Sequence, residues 1–243
     1  MVNLAENIQR LEKQIAEACR RAGRRREDVE LMAVSKTYPA EIIIEAAAFG
    51  LALFGENRVQ EFAEKAAALD SLRTRQEKPA QVHLIGHLQS NKATKAADLF
   101  DAVDSVDSLR LARRLDEAAA RINKKLPILI EVKLSPEETK EGLAPQSTDA
   151  SELFEVLPDL HSLELRGLMT IAPWGAEESV TRACFGSLRE WRDRWAAQYP
   201  RLNFDVLSMG MSGDFPLAIA EGATRIRVGT AIFGKRAPYT GPA

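Results

Sequence analysis

Cysteine and histidine are scarce in this chain of 243 residues, which has only Cys19 and Cys184, and His83, His87 and His161. No CxxC pair occurs and the histidines are scattered, so neither a disulfide framework nor a metal centre is expected, and a reducing compartment fits. An excess of charge of either sign is also missing. Lys and Arg number 33 against 35 Asp and Glu, a net charge of −2, so no global field favours nucleic acid or an anionic membrane as partner. The one basic cluster, Arg20, Arg21, Arg24, Arg25 and Arg26, falls at the end of the first predicted helix, where cations complement the helix dipole. No apolar run approaches the roughly 18 residues of a membrane span, and Met1 to Arg10 lacks a signal-peptide core. The expectation is a soluble, cytoplasmic monomer.

What the chain does have is alternation. Leu4, Ile8, Leu11 and Ile15 recur at helical spacing, predicting a helix over 2–22. Short apolar runs at 31–35, 52–54, 82–85, 101–104, 127–133, 163–169, 204–207 and 224–228 read as parallel strands buried on both faces. Helical stretches separate them, at about 39–49, 57–70, 90–97, 108–123, 148–156, 176–198 and 213–221. Pro39 opens one of these, Ser108 caps another and Asp214 lies in the first turn of the last. Residues 71–80 and 134–145 read as connectors, and 237–243 as a flexible tail. Eight strands with intervening helices and one leading helix predict a single (β/α)8 TIM barrel spanning 1–243. An open doubly wound sheet is disfavoured, because no GxGxxG follows the first strand.

In such a barrel chemistry sits where strands end. Lys36 closes the first strand, Met169 and Thr170 the sixth, and Lys133 the fifth. Ser208-Met209-Gly210-Met211-Ser212-Gly213 follows the seventh, and Arg227-Val228-Gly229-Thr230 ends the eighth. The loops after strands seven and eight are the usual phosphate cup of this barrel class. Ser208, Ser212 and Thr230 would supply hydroxyls, while Gly210, Gly213 and Gly229 let backbone N–H groups approach an anion. The plainer alternative is that these are Gly/Ser turns between tight βα units. An amine opposite a phosphate cup suits pyridoxal phosphate, whose aldehyde forms a Schiff base with lysine. A strand-end lysine that merely reaches for water is the competing reading of Lys36.

Other residues carry paired readings. Arg227 either meets the cofactor's pyridine nitrogen or sits on the outer face as a structural arginine. His83 either packs near the cofactor ring or is a satisfied core histidine, and His87 reads as a surface residue. Asn57 either caps the following helix or bonds the cofactor's phenolic oxygen. Trp174, Trp191 and Trp195 suggest packing.

These segments also resemble a known family. Ala33-Val34-Ser35-Lys36-Thr37, Phe54 to Glu61, and His83 to Lys92 are similar to the YggS/PROSC-type pyridoxal phosphate homeostasis proteins. So are Gly167 to Thr170, Leu207 to Ser212, and Arg227 to Gly234, in order over about residues 2–236. The resemblance implies an alanine-racemase-like, fold-type III barrel that carries pyridoxal phosphate on Lys36. Phosphate contacts are implied near Ser208, Ser212, Gly229 and Thr230, with Met209, Gly210 and Met169 in the same cofactor-binding set. It also implies a role in buffering or delivering the cofactor, with pyridoxal-phosphate-dependent apo-enzymes as recipients and no assigned reaction. Val82, where the family usually has tryptophan, and 133–142 depart from the pattern.

The alternative is an amino-acid racemase or decarboxylase on the same barrel. A two-base racemase needs a second acid/base on the opposite cofactor face, and none of Tyr38, Tyr199 and Tyr239 is evidently placed for it. No carboxylate clamp for an amino-acid substrate is evident either. The expectation is a carrier with no catalytic residue of its own.

Overall fold

Parallel strands buried on both faces have one way to remove their edges, which is to close on themselves. The computed structural model describes residues 3–74, 79–135 and 141–234; the tail at 237–243 and Tyr239 lie outside them. Eight parallel strands follow one another in chain order, and the eighth pairs with the first. They are β1 (Glu30–Val34), β2 (Leu53–Glu56), β3 (Gln81–Leu84), β4 (Ala102–Val106), β5 (Leu126–Glu131), β6 (Leu163–Met169), β7 (Val206–Ser208) and β8 (Arg225–Val228). Around them run α1 (Leu4–Arg21), α2 (Ala40–Ala48), α3 (Val59–Lys65), α4 (Asp70–Arg73) and α5 (Ala93–Leu99). The ring continues with α6 (Leu109–Arg121), α7 (Thr148–Val156), α8 (Glu178–Gln198), α9 (Phe215–Ala220) and α10 (Thr230–Phe233). The architecture is a (β/α)8 barrel preceded by a helix. Among the described residues no helix is long and apolar enough to cross a membrane.

The leading helix forms for the reasons its sequence suggests. Leu4, Ile8, Leu11 and Ile15 are all buried along one face of α1, each contributing about 1.5–3 kcal/mol on leaving water. Asn3 accepts from the Glu6 N–H at 3.1 Å and caps the start. The buried face closes over α9 and α10, where Asn7 Nδ2 donates to the Ile232 carbonyl at 2.9 Å. The arginines at its end serve the fold. Arg20 and Arg21 pair with Glu17, Arg26 with Glu12, and Arg24 donates to the Ile219 and Ala223 carbonyls.

Several boundaries differ from the sequence expectation. The helix expected over 57–70 is divided: α3 stops at Lys65, a 3-10 turn covers Ala67–Leu69, and α4 occupies the start of a predicted connector. α3 begins after Arg58, so Asn57 does not cap it. β2 extends through Gly55 and Glu56, β7 takes in Ser208, and β5 ends at Glu131, leaving Lys133 beyond the strand. Lys36 likewise lies past β1, in a turn. α10 is a four-residue helix, too short to show a period in sequence. Trp174, expected to pack, is 87% exposed, whereas Trp195 is buried against Phe154.

Strand alternation sorts side chains into two cores. Leu31, Ala33, Phe54, Val82, Leu84 and Val103 join the core beneath the helices, while Met32, Val34, Leu53 and Ile85 cluster inside the barrel. Register then places Arg227 beside Met32, His83 beside Gly55, and Ser208, Met169 and Glu131 in one row. Barrels of this class are ordinarily filled with branched apolar residues. Here part of the filling is ionic.

Candidate functional site

Ser35 to Tyr38 form a type II turn. The Tyr38 N–H donates to the Ser35 carbonyl at 3.1 Å, and Thr37 in the third position has φ +70°. Lys36 occupies the second position and is half-buried. The strand leading into this turn lies against the end of β8: a Cβ added to Gly229 would come within 3.1 Å of the Val34 carbonyl oxygen. Two segments far apart in sequence thus share one sector of the barrel mouth.

The loop after β7 bends sharply onto α9. Gly210 has φ +91°, and a Cβ there would sit 2.5 Å from that of Ala218, so only glycine fits. The Asp214 carboxylate accepts from the Met211 N–H and holds the loop, while burial pushes its pKa up. Ser212 is half-buried and Thr230 exposed, and their hydroxyls make no hydrogen bond among the described residues. Ser208 is placed differently from the rim donor expected. Its side chain is wholly buried, and its Oγ and carbonyl oxygen accept from Arg227 Nη1 at 2.8 and 2.7 Å. Met209 is also fully buried, within the outer core.

Arg227 lies inside the barrel, and its Nη2 donates to the Thr170 carbonyl at 2.8 Å. The outer-face alternative for this arginine is therefore excluded. One layer away, His83 Nδ1 meets Asp104 at 3.0 Å, and Arg225 reaches both Asp104 (3.1 Å) and Glu30 (2.8 Å). A carboxylate only accepts, so Nδ1 carries the proton in that contact. His83 is thus a core histidine satisfied by Asp104. The neighbouring His83 and Arg225 outweigh burial and hold the Asp104 carboxyl below its ordinary value.

Glu131 is the group sequence reasoning missed. It ends β5 on the inner face and is 7% exposed. Burial pushes its pKa up to about 7, against the opposing pull of Arg227. Alternation from Leu129 would have shown that it faces inward. Glu131 lines a cleft of about 260 Å³ with Asn57, Ile85, Lys133 and Ile171. This is another sector of the mouth from the Lys36 turn and the loop after β7, and Asn57 is part of its lining. His87 borders the cleft half-exposed, 3.2 Å from Asp107.

The tyrosines are committed elsewhere. Tyr38 Oη donates to the Gly234 carbonyl at 3.0 Å and its ring packs on Phe233. Tyr199 stacks on Phe154 beneath the helices.

Lys36, the glycine-shaped loop after β7 with the Ser212 and Thr230 hydroxyls nearby, and the buried Arg227 guanidinium all lie at the strand ends. That donor set fits a ligand bearing a phosphate at one end and a carbonyl at the other. Barrels with this arrangement form a class of pyridoxal-phosphate-binding proteins. The chain belongs to the family described as alanine racemase, N-terminal domain, whose model matches residues 6–237. It is 43% identical over 243 residues to a pyridoxal phosphate homeostasis protein of Pseudomonas aeruginosa, covering all of both chains. It is 40% identical over 235 residues to one of Aquifex aeolicus, covering 97% of this chain and 99% of that one. The structure of PipY from Synechococcus elongatus with PLP bound superposes with a TM-score of 0.81 at 42% identity, over 96% of this chain and 100% of PipY.

Proposed function

We propose that this chain, acting as one domain, binds pyridoxal 5'-phosphate at the barrel mouth through a Schiff base on Lys36. It would serve intracellular cofactor homeostasis by buffering or delivery. The observation that carries the reading is the juxtaposition of the Lys36 turn and the β8 cup through Val34 and Gly229. Two relatives named for pyridoxal phosphate homeostasis and a neighbour solved with PLP support it.

The roles divide by position. Gly210, Ser212, Gly229 and Thr230 would hold the phosphate, with Met209 contributing backbone alone. Ser208 would act through Arg227, which it fixes by two hydrogen bonds. Arg227 would face the pyridine nitrogen and, being permanently charged, keep it unprotonated. Met169 and Asn57 would border the ring, and His83 would support the floor through Asp104. Pyridoxal phosphate bound here would supply a reactive aldehyde, and Lys36 would be the residue that holds it covalently. Apo-enzymes that use pyridoxal phosphate are the proposed recipients, and the cytoplasm the proposed compartment.

We read the role as non-catalytic, a reading supported by relatives named for pyridoxal phosphate homeostasis. Racemisation or decarboxylation of an amino acid has one feature in its favour, the buried Glu131 carboxyl lining the cleft, which burial pushes up to about 7. Loaded protein should pass cofactor to an apo-enzyme faster than a control holoprotein does, and should show no turnover across a panel of amino acids. Turnover abolished by Lys36→Ala would overturn the carrier reading.

A further inference from the structure

The backbone that carries Lys36 is gripped from behind, on the helix side of the barrel. Glu56 ends β2 facing outward, opposite Leu84 rather than the barrel interior, and is completely buried. It accepts from Ser35 Oγ at 2.6 Å and pairs with Lys65 Nζ at 2.9 Å. Lys65, at the end of α3, donates to the Tyr38 carbonyl at 2.9 Å and the Ser35 carbonyl at 3.4 Å, and pairs with Glu61 at 3.2 Å. Glu61 in turn accepts from the Thr37 N–H at 2.5 Å. Residues 35, 37 and 38, all those around Lys36 in its turn, are therefore held by three side chains of β2 and α3.

The turn needs holding. Its third position takes φ +70°, a conformation natural to glycine, and Thr37 is β-branched. Residues in such regions persist where surrounding structure over-determines them. Lys36 follows Ser35 directly, so movement of this turn swings the amine away from the cup.

We infer that Glu61, Lys65 and Glu56 are positioning residues which hold a strained turn so that Lys36 presents its amine to the cofactor aldehyde. The inference rests on the attachment of pyridoxal phosphate to Lys36. Glu61 is the residue to test, because at 27% side-chain exposure it is the least buried of the three. Glu61→Ala removes the acceptor for Thr37, whereas Glu61→Gln keeps a carbonyl in reach while removing the charge. Adduct formation is followed by absorption after mixing protein with pyridoxal phosphate, and its site by borohydride reduction and peptide mass mapping. Glu61→Ala should form the Lys36 adduct roughly tenfold more slowly, as expected for a misdirected reacting group, and Glu61→Gln should restore the rate. Thr37→Gly adopts the turn without strain, so the Glu61→Ala defect should shrink in that background, an interaction that a merely structural role would not produce. An unaltered rate in Glu61→Ala, or a Gln variant as slow as Ala, would overturn the clamp while leaving the attachment standing. Wild-type protein that forms no adduct on Lys36 would remove the attachment itself, and the clamp with it.

Discussion

Two carboxylates inside the barrel, Asp104 and Glu131, are both buried yet pushed in opposite directions. Asp104 is 1% exposed and has His83 and Arg225 in direct contact, which hold it ionised. Glu131 is nearly as buried, but burial dominates and carries it to about 7. Burial alone does not decide ionisation; the bonded partner does. The inner layer is closed ionic structure. The mouth instead carries a carboxyl pushed up to about 7 and the two rim hydroxyls of Ser212 and Thr230.

The sharpest way to break this comparison is Asp104→Ala. It leaves His83 Nδ1 without its carboxylate and Arg225 with Glu30 alone, and denaturant unfolding should show a loss of about 3–5 kcal/mol. A loss under about 1 kcal/mol would mean that the inner layer is not structural. Glu131 should respond to pH instead. Its folded pKa is raised from 4.5 to about 7, so the folded state binds the proton more tightly. The resulting stability is fully present below 4.5 and is lost as pH rises towards 7, at up to about 1.4 kcal/mol per unit. Unliganded Glu131→Gln should lose this slope between pH 5 and 8, and an unchanged slope would place the titration elsewhere. Asp104 has the opposite sign: its contribution is present above its ordinary 3.8 and is lost as pH falls through its lower folded value. The smallest effects belong to the rim. Ser212→Ala and Thr230→Val should each weaken pyridoxal phosphate binding roughly tenfold, the scale of a hydrogen bond to a charged acceptor, with little change in unfolding. Binding as tight as wild type, read by titration, would remove the phosphate assignment.

Much of the barrel was legible because apolar runs and helical spacing report burial directly. The leading helix followed from Leu4, Ile8, Leu11 and Ile15, and Ser108 caps α6 as its position suggested, accepting from the Leu111 N–H. Lys36 and the Gly/Ser turns stood out because strand ends are few. What was not legible depends on register across strands. Nothing local in sequence says that Ser208 bonds Arg227, or that Asp104, His83 and Arg225 meet inside the barrel. The grip of Lys65 on Ser35 and Tyr38 is equally hidden, since it joins side chains to backbone across two βα units.

The most direct measurement is the absorption spectrum of the protein with pyridoxal phosphate, followed by borohydride reduction and peptide mapping. Wild-type protein should retain reduced cofactor on Lys36 and nowhere else, and folded Lys36→Ala should retain none. Cofactor fixed on another lysine, or absent from the wild-type protein, would contradict the account.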